Sequence, residues 1–308
     1  MTGRVTVLTG GVGGAKLVDG LYRVLPAGGL AAIVNTGDDF RHFGLPISPD
    51  IDTLLYTLSG KANAKQGWGR EGETWNFMKV LRSLGGEDWF NLGDGDLALH
   101  VLRGARLAAG EPLSWVVARF AAAWGLSLAV LPMSDDPVAT WVDSEEGLLS
   151  FQRYFVERQC APRLRGLRFD GAETARPGPG VVAAIMEAEA VLIAPSNPWL
   201  SIDPILAIPE LRAALAATPA PVVAVSPLVG GKAVKGPTAK IMAELGLEVT
   251  NASIAAHYGD LIDAVVVHEG DPAPEGLPVA YTDTLMVTPQ DRERVGRAAL
   301  ALAADLHG

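Results

Sequence analysis

The sequence predicts an α/β protein with a Rossmann-like, mainly parallel sheet, helices on both faces and an inserted cap subdomain. Three observations carry this expectation. Short aliphatic runs, VTVL (5–8), AAIV (31–34), VLIA (191–194) and VVAV (222–225), each end in a turn of Gly, Asn, Ser or Pro. Leu17, Leu21, Val24 and Leu25 recur at three- and four-residue spacing after the first run, the stripe of an amphipathic helix. Strand and helix then alternate at both ends of the chain, and such alternation builds a parallel sheet with crossover helices.

Taken in order, the opening unit is strand 5–8, the glycine-rich turn TGGVGGAK (9–16) and a helix beginning near Ala15. The second strand, 31–34, runs into NTGDD (35–39), followed by SPDIDT (48–53). From about residue 52 to 123 the pattern is mostly helical, with apolar residues at helical spacing in 54–58, 77–84 and 116–123. LSLAVLP (126–132) returns to a strand, and TWVD and LLSFQRYFV that follow look β-rich. ARPGPG (175–180) is the best linker or long loop, after which alternation resumes through 191–194, 222–225 and 264–268. We therefore expect one domain over 1–308, with residues about 54–180 forming a helical and β insertion.

The chain has 308 residues, 49% of them apolar, which is ample for a packed core. Its formal charge of −10 argues against general nucleic-acid binding, which needs clustered Lys and Arg. No basic segment precedes an apolar stretch, and no apolar run is long enough to span a bilayer, so a soluble cytoplasmic protein is expected. Cys160 has no partner for a disulfide or a Cys-rich metal site and reads as a packed thiol. The five histidines lack metal-ligand spacing, which argues against zinc.

In an open parallel sheet the ligand crevice lies beyond the carboxyl ends of the strands, so the turns above should converge. TGGVGGAK is neither a dinucleotide fingerprint nor a P-loop, because Lys16 stands where one needs glycine and the spacing fails the other. Gly10, Gly11, Gly13 and Gly14 still allow close approach of an anion to a helix N-terminus, with Lys16 beside them. A tight strand-to-helix turn without ligand is the simpler alternative. Asp38, Asp39, Asp50 and Asp52 place four carboxylates in two neighbouring turns, which fits Mg²⁺ with substrate phosphates. Helix capping at Ser48, Pro49 and Asp50 accounts for only part of that set. LGDGD (92–96) and MSDDP (133–137) are further acidic turns or caps. Ser196, Asn197 and Ser226, with Gly230, Gly231, Lys232 and Lys235, offer donors suited to a nucleotide or diphosphate. Trp68 and Trp75 flank a Gly-rich polar turn and either stack a planar ring or pack the cap onto the core.

TGGVGGAKLVDGL, VNTGDDF, ISPDIDTLLY, WGREGETW, LGDGDLALH, LPMSDDPVAT, PSNPWLSIDPIL, VSPLVGGKAVKGPT and DTLM, in that order, resemble the 2-phospho-L-lactate transferase (CofD-like) family of coenzyme F420 biosynthesis. The resemblance runs from residue 5 to about 287. It implies Mg²⁺-dependent transfer of a phospholactyl-type group, whether phospholactate, phosphoenolpyruvate or phosphoglycerate, from a guanosine diphosphate-linked donor to the deazaflavin Fo. GMP leaves, and members are typically dimers. Carried onto this chain, Gly10 to Gly14 with Lys16, Ser196, Asn197, Ser226, Gly230, Gly231 and Lys232 hold the donor. Asp50 and Asp52 are the catalytic acids, Asp38, Asp50 and Asp52 the metal ligands, and Asp50, Asp94, Gly95 and Trp68 the deazaflavin contacts. The family commonly has a basic residue where this chain has Gly95, so a contact is either missing or supplied from elsewhere, for example by Arg70.

Two other classes compete. A nicotinamide-dependent oxidoreductase with an altered Rossmann loop would use an acid after the second strand, where Asp38 occurs, but it leaves the surplus carboxylates without a role. A nucleotide-binding module without chemistry would bind donor and release no GMP.

Overall fold

The computed structural model describes residues 3–233 and 236–307. Seven parallel strands make the central sheet: β1 (Val5–Thr9), β2 (Leu30–Val34), β3 (Ala129–Pro132), β4 (Ala190–Ile193), β5 (Val222–Val225), β6 (Ala264–His268) and β7 (Val279–Thr282). Their spatial order is β7-β6-β5-β4-β1-β2-β3. The inner strands read as continuous apolar runs because helices cover both faces. Alternate residues feed two cores: Leu8, Ile33 and Ile193 enter one, and Val7, Val34 and Leu192 the other.

The order of connection reverses beside β1. Strands β2 and β3 extend the sheet to one edge, and the chain then crosses so that β4 pairs with the other side of β1, with Val5 opposite both Leu30 and Ala190. Such a switch point opens a crevice at the carboxyl ends of the strands. The turns after β1 and β4 enter it.

Five helices matter to the site: α1 (Gly11–Val24), α2 (Pro49–Leu58), α3 (Asn76–Ser83), α4 (Asp94–Ala108) and α5 (Leu113–Ala123). α1 starts at Gly11, earlier than the periodicity predicts, because the glycine tract forms its first turn. Residues 54–180 are not one insert: β3 lies within them and belongs to the central sheet, with α5 packed on it. The cap proper contains a three-stranded antiparallel sheet centred on Ala139–Ser144, flanked by Gly147–Ser150 and Leu164–Asp170. The expected β run over LLSFQRYFV ends at Ser150, and Arg153–Glu157 is a π-helical turn. Burial pushes the Cys160 thiol up to about 11, as befits an inert packed thiol. Lys235 lies outside the described residues.

Candidate active site

The glycine turn and the acidic turns meet at the switch point. Gly11 N–H donates to Asp50 Oδ1 at 2.8 Å, and Asn35 Nδ2 donates to Asp50 Oδ2 at 3.0 Å. Asn35 is itself locked by Gly37 N–H, which donates to its Oδ1 at 2.7 Å. Asp50 stands in the first turn of α2, where the helix dipole favours a carboxylate. The adjacent glycines make room for it: a Cβ on Gly10 would lie 2.6 Å from Asp50 Oδ2. Gly11 has φ +64° and open space where a side chain would point.

Asp50 is one of three crowded carboxylates. Burial raises its pKa to about 6, against the opposing hydrogen bonds from Asn35 and Gly11. Burial first, and then repulsion from Asp50 and Asp39, hold Asp38 well above the usual carboxylate range. Asp39 is also driven up by burial although Ser48 Oγ donates to its Oδ2 at 2.6 Å. Ser48 is thus a ligand of Asp39 and makes no side-chain cap on α2. Asp38 Oδ1 and Asp39 Oδ1 are buried without a hydrogen-bond partner. Uncompensated carboxylate oxygens are costly in the interior, and a hard divalent cation with its waters and phosphate ligands satisfies them. One or two of these carboxylates, with waters and phosphate oxygens, fit Mg²⁺; among the described residues they do not make a three-ligand group within 4.8 Å.

Asp52 groups instead with Asp96 and His100, each offering a ligand atom within 4.8 Å of the other two. Residues two apart on a helix face different sides, and Asp52 turns to Arg103 of α4. Burial raises its pKa while Arg103 opposes the shift.

The remaining predicted residues fall into three places. Ser196 Oγ donates to Gly10 O at 2.7 Å and so clamps the turn after β4 onto the glycine turn. Asn197 Oδ1 caps the turn that follows, accepting from Trp199 and Leu200 N–H, while its buried Nδ2 has no partner. Lys16 Nζ donates to Met286 O at 2.5 Å. Gly13 is half-buried, and a Cβ there would lie 2.8 Å from Pro195 O, so the absence of a side chain serves helix–strand packing. Further along, Ser226 Oγ donates to Asn251 Oδ1 at 2.5 Å, and Gly230 N–H to Asp271 Oδ2 at 3.0 Å. Gly230 and Gly231 both have positive φ and turn a short hairpin, Leu228–Val229 with Lys232–Ala233, that leaves Lys232 exposed. Asn35, Asn251 and Asp271 escaped sequence reasoning, since each acts by holding another site residue.

WGREGETW and LGDGD meet as reciprocal caps. Asp94 accepts from Thr74 Oγ1 at 2.6 Å and from Asn76 and Phe77 N–H, capping α3, while Glu73 Oε2 accepts from Gly95 N–H at 2.6 Å, capping α4. A Cβ on Gly95 would lie 2.5 Å from Arg70 Nη1, so the Arg70 guanidinium fills the place where a residue-95 side chain would begin. Trp68 is 48% exposed in the same loop.

Comparison with known proteins decides the family. Residues 5–304 match the family described as 2-phospho-L-lactate transferase CofD. This chain belongs to the CofD family. It is accordingly a transferase, which removes the oxidoreductase and non-catalytic alternatives. The CofD-family chain is 41% identical over 319 residues to the phosphoenolpyruvate transferase of Kitasatospora aureofaciens, covering 99% of each. It is 40% identical to the phosphoenolpyruvate transferase of Mycolicibacterium smegmatis over 322 residues, covering 97% of this chain and 98% of that one. A crystal structure of a UPF0052-family protein from Bacillus halodurans shares the fold, with TM-score 0.64, 17% identity and coverage of 97% of this CofD-family chain and 99% of that chain. No described helix is long and apolar enough to cross a membrane.

Proposed function

We propose that this transferase moves a phosphoenolpyruvyl group from a guanosine diphosphate-linked donor to the ribityl hydroxyl of the deazaflavin Fo, in coenzyme F420 biosynthesis, releasing GMP. The contact that carries the reading is Gly11 N–H to Asp50, which puts an anion-binding glycine turn against a rim of unsatisfied carboxylates. The names of the two relatives above support enolpyruvate as the three-carbon unit.

In this reading the donor diphosphate lies over Gly11, with Asn197 Nδ2 as a further donor. Asp38, Asp39 and Asp50 would supply one or two carboxylate ligands to Mg²⁺, which would neutralise charge on the diphosphate. The Fo hydroxyl attacks the phosphorus that carries the three-carbon acid; that new P–O bond forms as the anhydride bond to GMP breaks. A rim carboxylate within reach of the hydroxyl accepts its proton. Phosphoryl-group chemistry of this kind needs alignment and charge cancellation more than covalent help. Arg70, with Trp68 in the same loop, faces the Fo ring or its chain from the N-terminus of α4.

The enzyme works as a homodimer in the cytoplasm. The outer face of α4 supports pairing: Ala98, Val101, Leu102, Ala105 and Ala108 form an exposed stripe without charge.

The test is to incubate the protein with Fo, Mg²⁺ and guanosine diphosphate-linked enolpyruvate, lactate or glycerate, and to identify products by mass. GMP and an Fo phosphodiester should appear, fastest with the enolpyruvyl donor. GMP release from none of the three overturns the proposal.

A further inference from the structure

Beside the rim lies a polar cluster that the proposed reaction leaves unused. Arg103 is 0% exposed, and its guanidinium donates to Asp52, to Pro46 O at 3.2 Å and to His100 Nδ1 at 3.3 Å. A guanidinium has no acceptor, so Nδ1 accepts and the ring proton sits on Nε2. That nitrogen lies 3.1 Å from Asp96 Oδ2, and Asp96 also accepts from Tyr56. Asp52, Asp96 and His100 each bring a ligand atom within 4.8 Å of the other two. Asp52 Oδ2 and His100 Nε2 are buried without an aligned hydrogen-bond partner. Two carboxylates and an imidazole so arranged have the ligand chemistry of a divalent ion such as Mn²⁺. Arg103 instead supplies a fixed positive charge there and occupies His100 Nδ1 and Asp52 with its own hydrogen bonds.

We propose that Arg103 is the resident cation of this second pocket, a positioning residue that keeps divalent ions from Asp52, Asp96 and His100 and so reserves them for Asp38, Asp39 and Asp50. The inference rests on the reading that the rim takes a cation. Helix geometry supports the division, since Asp50 and Asp52 leave α2 on different sides. Without the guanidinium, Asp52, Asp96 and His100 would become a competing metal site.

Mn²⁺ titration of the full chain, followed by electron paramagnetic resonance, tests this. The variants are Arg103→Met, Arg103→Lys and Arg103→Met with Asp52→Asn. Arg103→Met should bind one more Mn²⁺ than the parent and gain more Tm from Mn²⁺. Its kcat should fall at least about tenfold, while the KM for donor moves less than about threefold. Arg103→Lys should bind no extra ion, and the double variant should lose the extra ion. If Arg103→Met unfolds without metal, the larger Mn²⁺-dependent gain in Tm carries the test. An Arg103→Met variant with the parent's Mn²⁺ stoichiometry and the parent's Tm gain overturns the proposal. A parent that binds no Mn²⁺ overturns the cation role of the rim; an ion appearing in Arg103→Met alone still supports Arg103 as the cation of the pocket.

Discussion

The Gly11 N–H donates to Asp50 Oδ1 across 2.8 Å, joining the turn after β1 to the first turn of α2. In the proposed reaction the donor phosphate and the cation adjoin at this junction. A consequence follows for stability, because Asp50, Asp38 and Asp39 all hold protons more tightly in the fold than in the unfolded chain. Between the ordinary carboxylate range and about 6 for Asp50, the folded state binds more protons, so stability falls as pH rises through that window. We expect metal-free protein to melt lower near pH 8 than near pH 5, and Mg²⁺ to raise Tm more at the higher pH. Thermal melts over pH with and without Mg²⁺ check this; a Mg²⁺ gain in Tm that does not grow with pH contradicts it.

The glycines of TGGVGGAK divide by role. Gly13→Ala should lower Tm because its Cβ meets the Pro195 carbonyl at 2.8 Å, a backbone atom that cannot swing away. A cost of roughly 1–3 kcal/mol is the usual range for overpacking. Gly11→Ala faces open space, so its cost is the strain of φ +64°, on the order of 1 kcal/mol, with an added loss of donor affinity. Melting curves and GDP calorimetry on both variants separate the two; donor affinity lost in Gly13→Ala at unchanged Tm would reverse the assignment.

The convergence of the turns was legible in the sequence because strand-ending Gly, Asn and Asp clusters mark the carboxyl edge of a parallel sheet. The division of labour among the acids was not. Asp50 and Asp52 look equivalent in SPDIDT, and only the rotation of α2 and the distant Arg103 separate them. Asp94 looked like a binding acid until α3, reached from a different motif, took its oxygens. Edge strand β3 reads as part of an insert because a strand between a helix and the cap's own strands carries no signal of which sheet it joins.

The reciprocal caps predict that Asp94→Ala and Glu73→Ala each destabilise the cap loop by about 1 kcal/mol. Gly95→Arg should destabilise by less than either, since Arg70 Nη1 and Glu73 Oε1, 2.5 and 2.9 Å from its would-be Cβ, end flexible side chains that can swing aside. Pairing it with Arg70→Ala should recover part of that loss. Urea unfolding of the three single variants and the double variant measures this, and a Gly95→Arg protein as stable as the parent would refute the crowding.

The central claim is that donor phosphate and divalent cation meet at the Gly11–Asp50 junction. Calorimetric titration of GDP into the parent and Asp50→Asn, each with and without Mg²⁺, tests it most directly. In the parent, Mg²⁺ should tighten GDP at least about tenfold, equivalent to ~1.4 kcal/mol, and in Asp50→Asn this gain should largely vanish while the fold persists. Equal Mg²⁺ enhancement in both proteins, or none in the parent, would contradict the account.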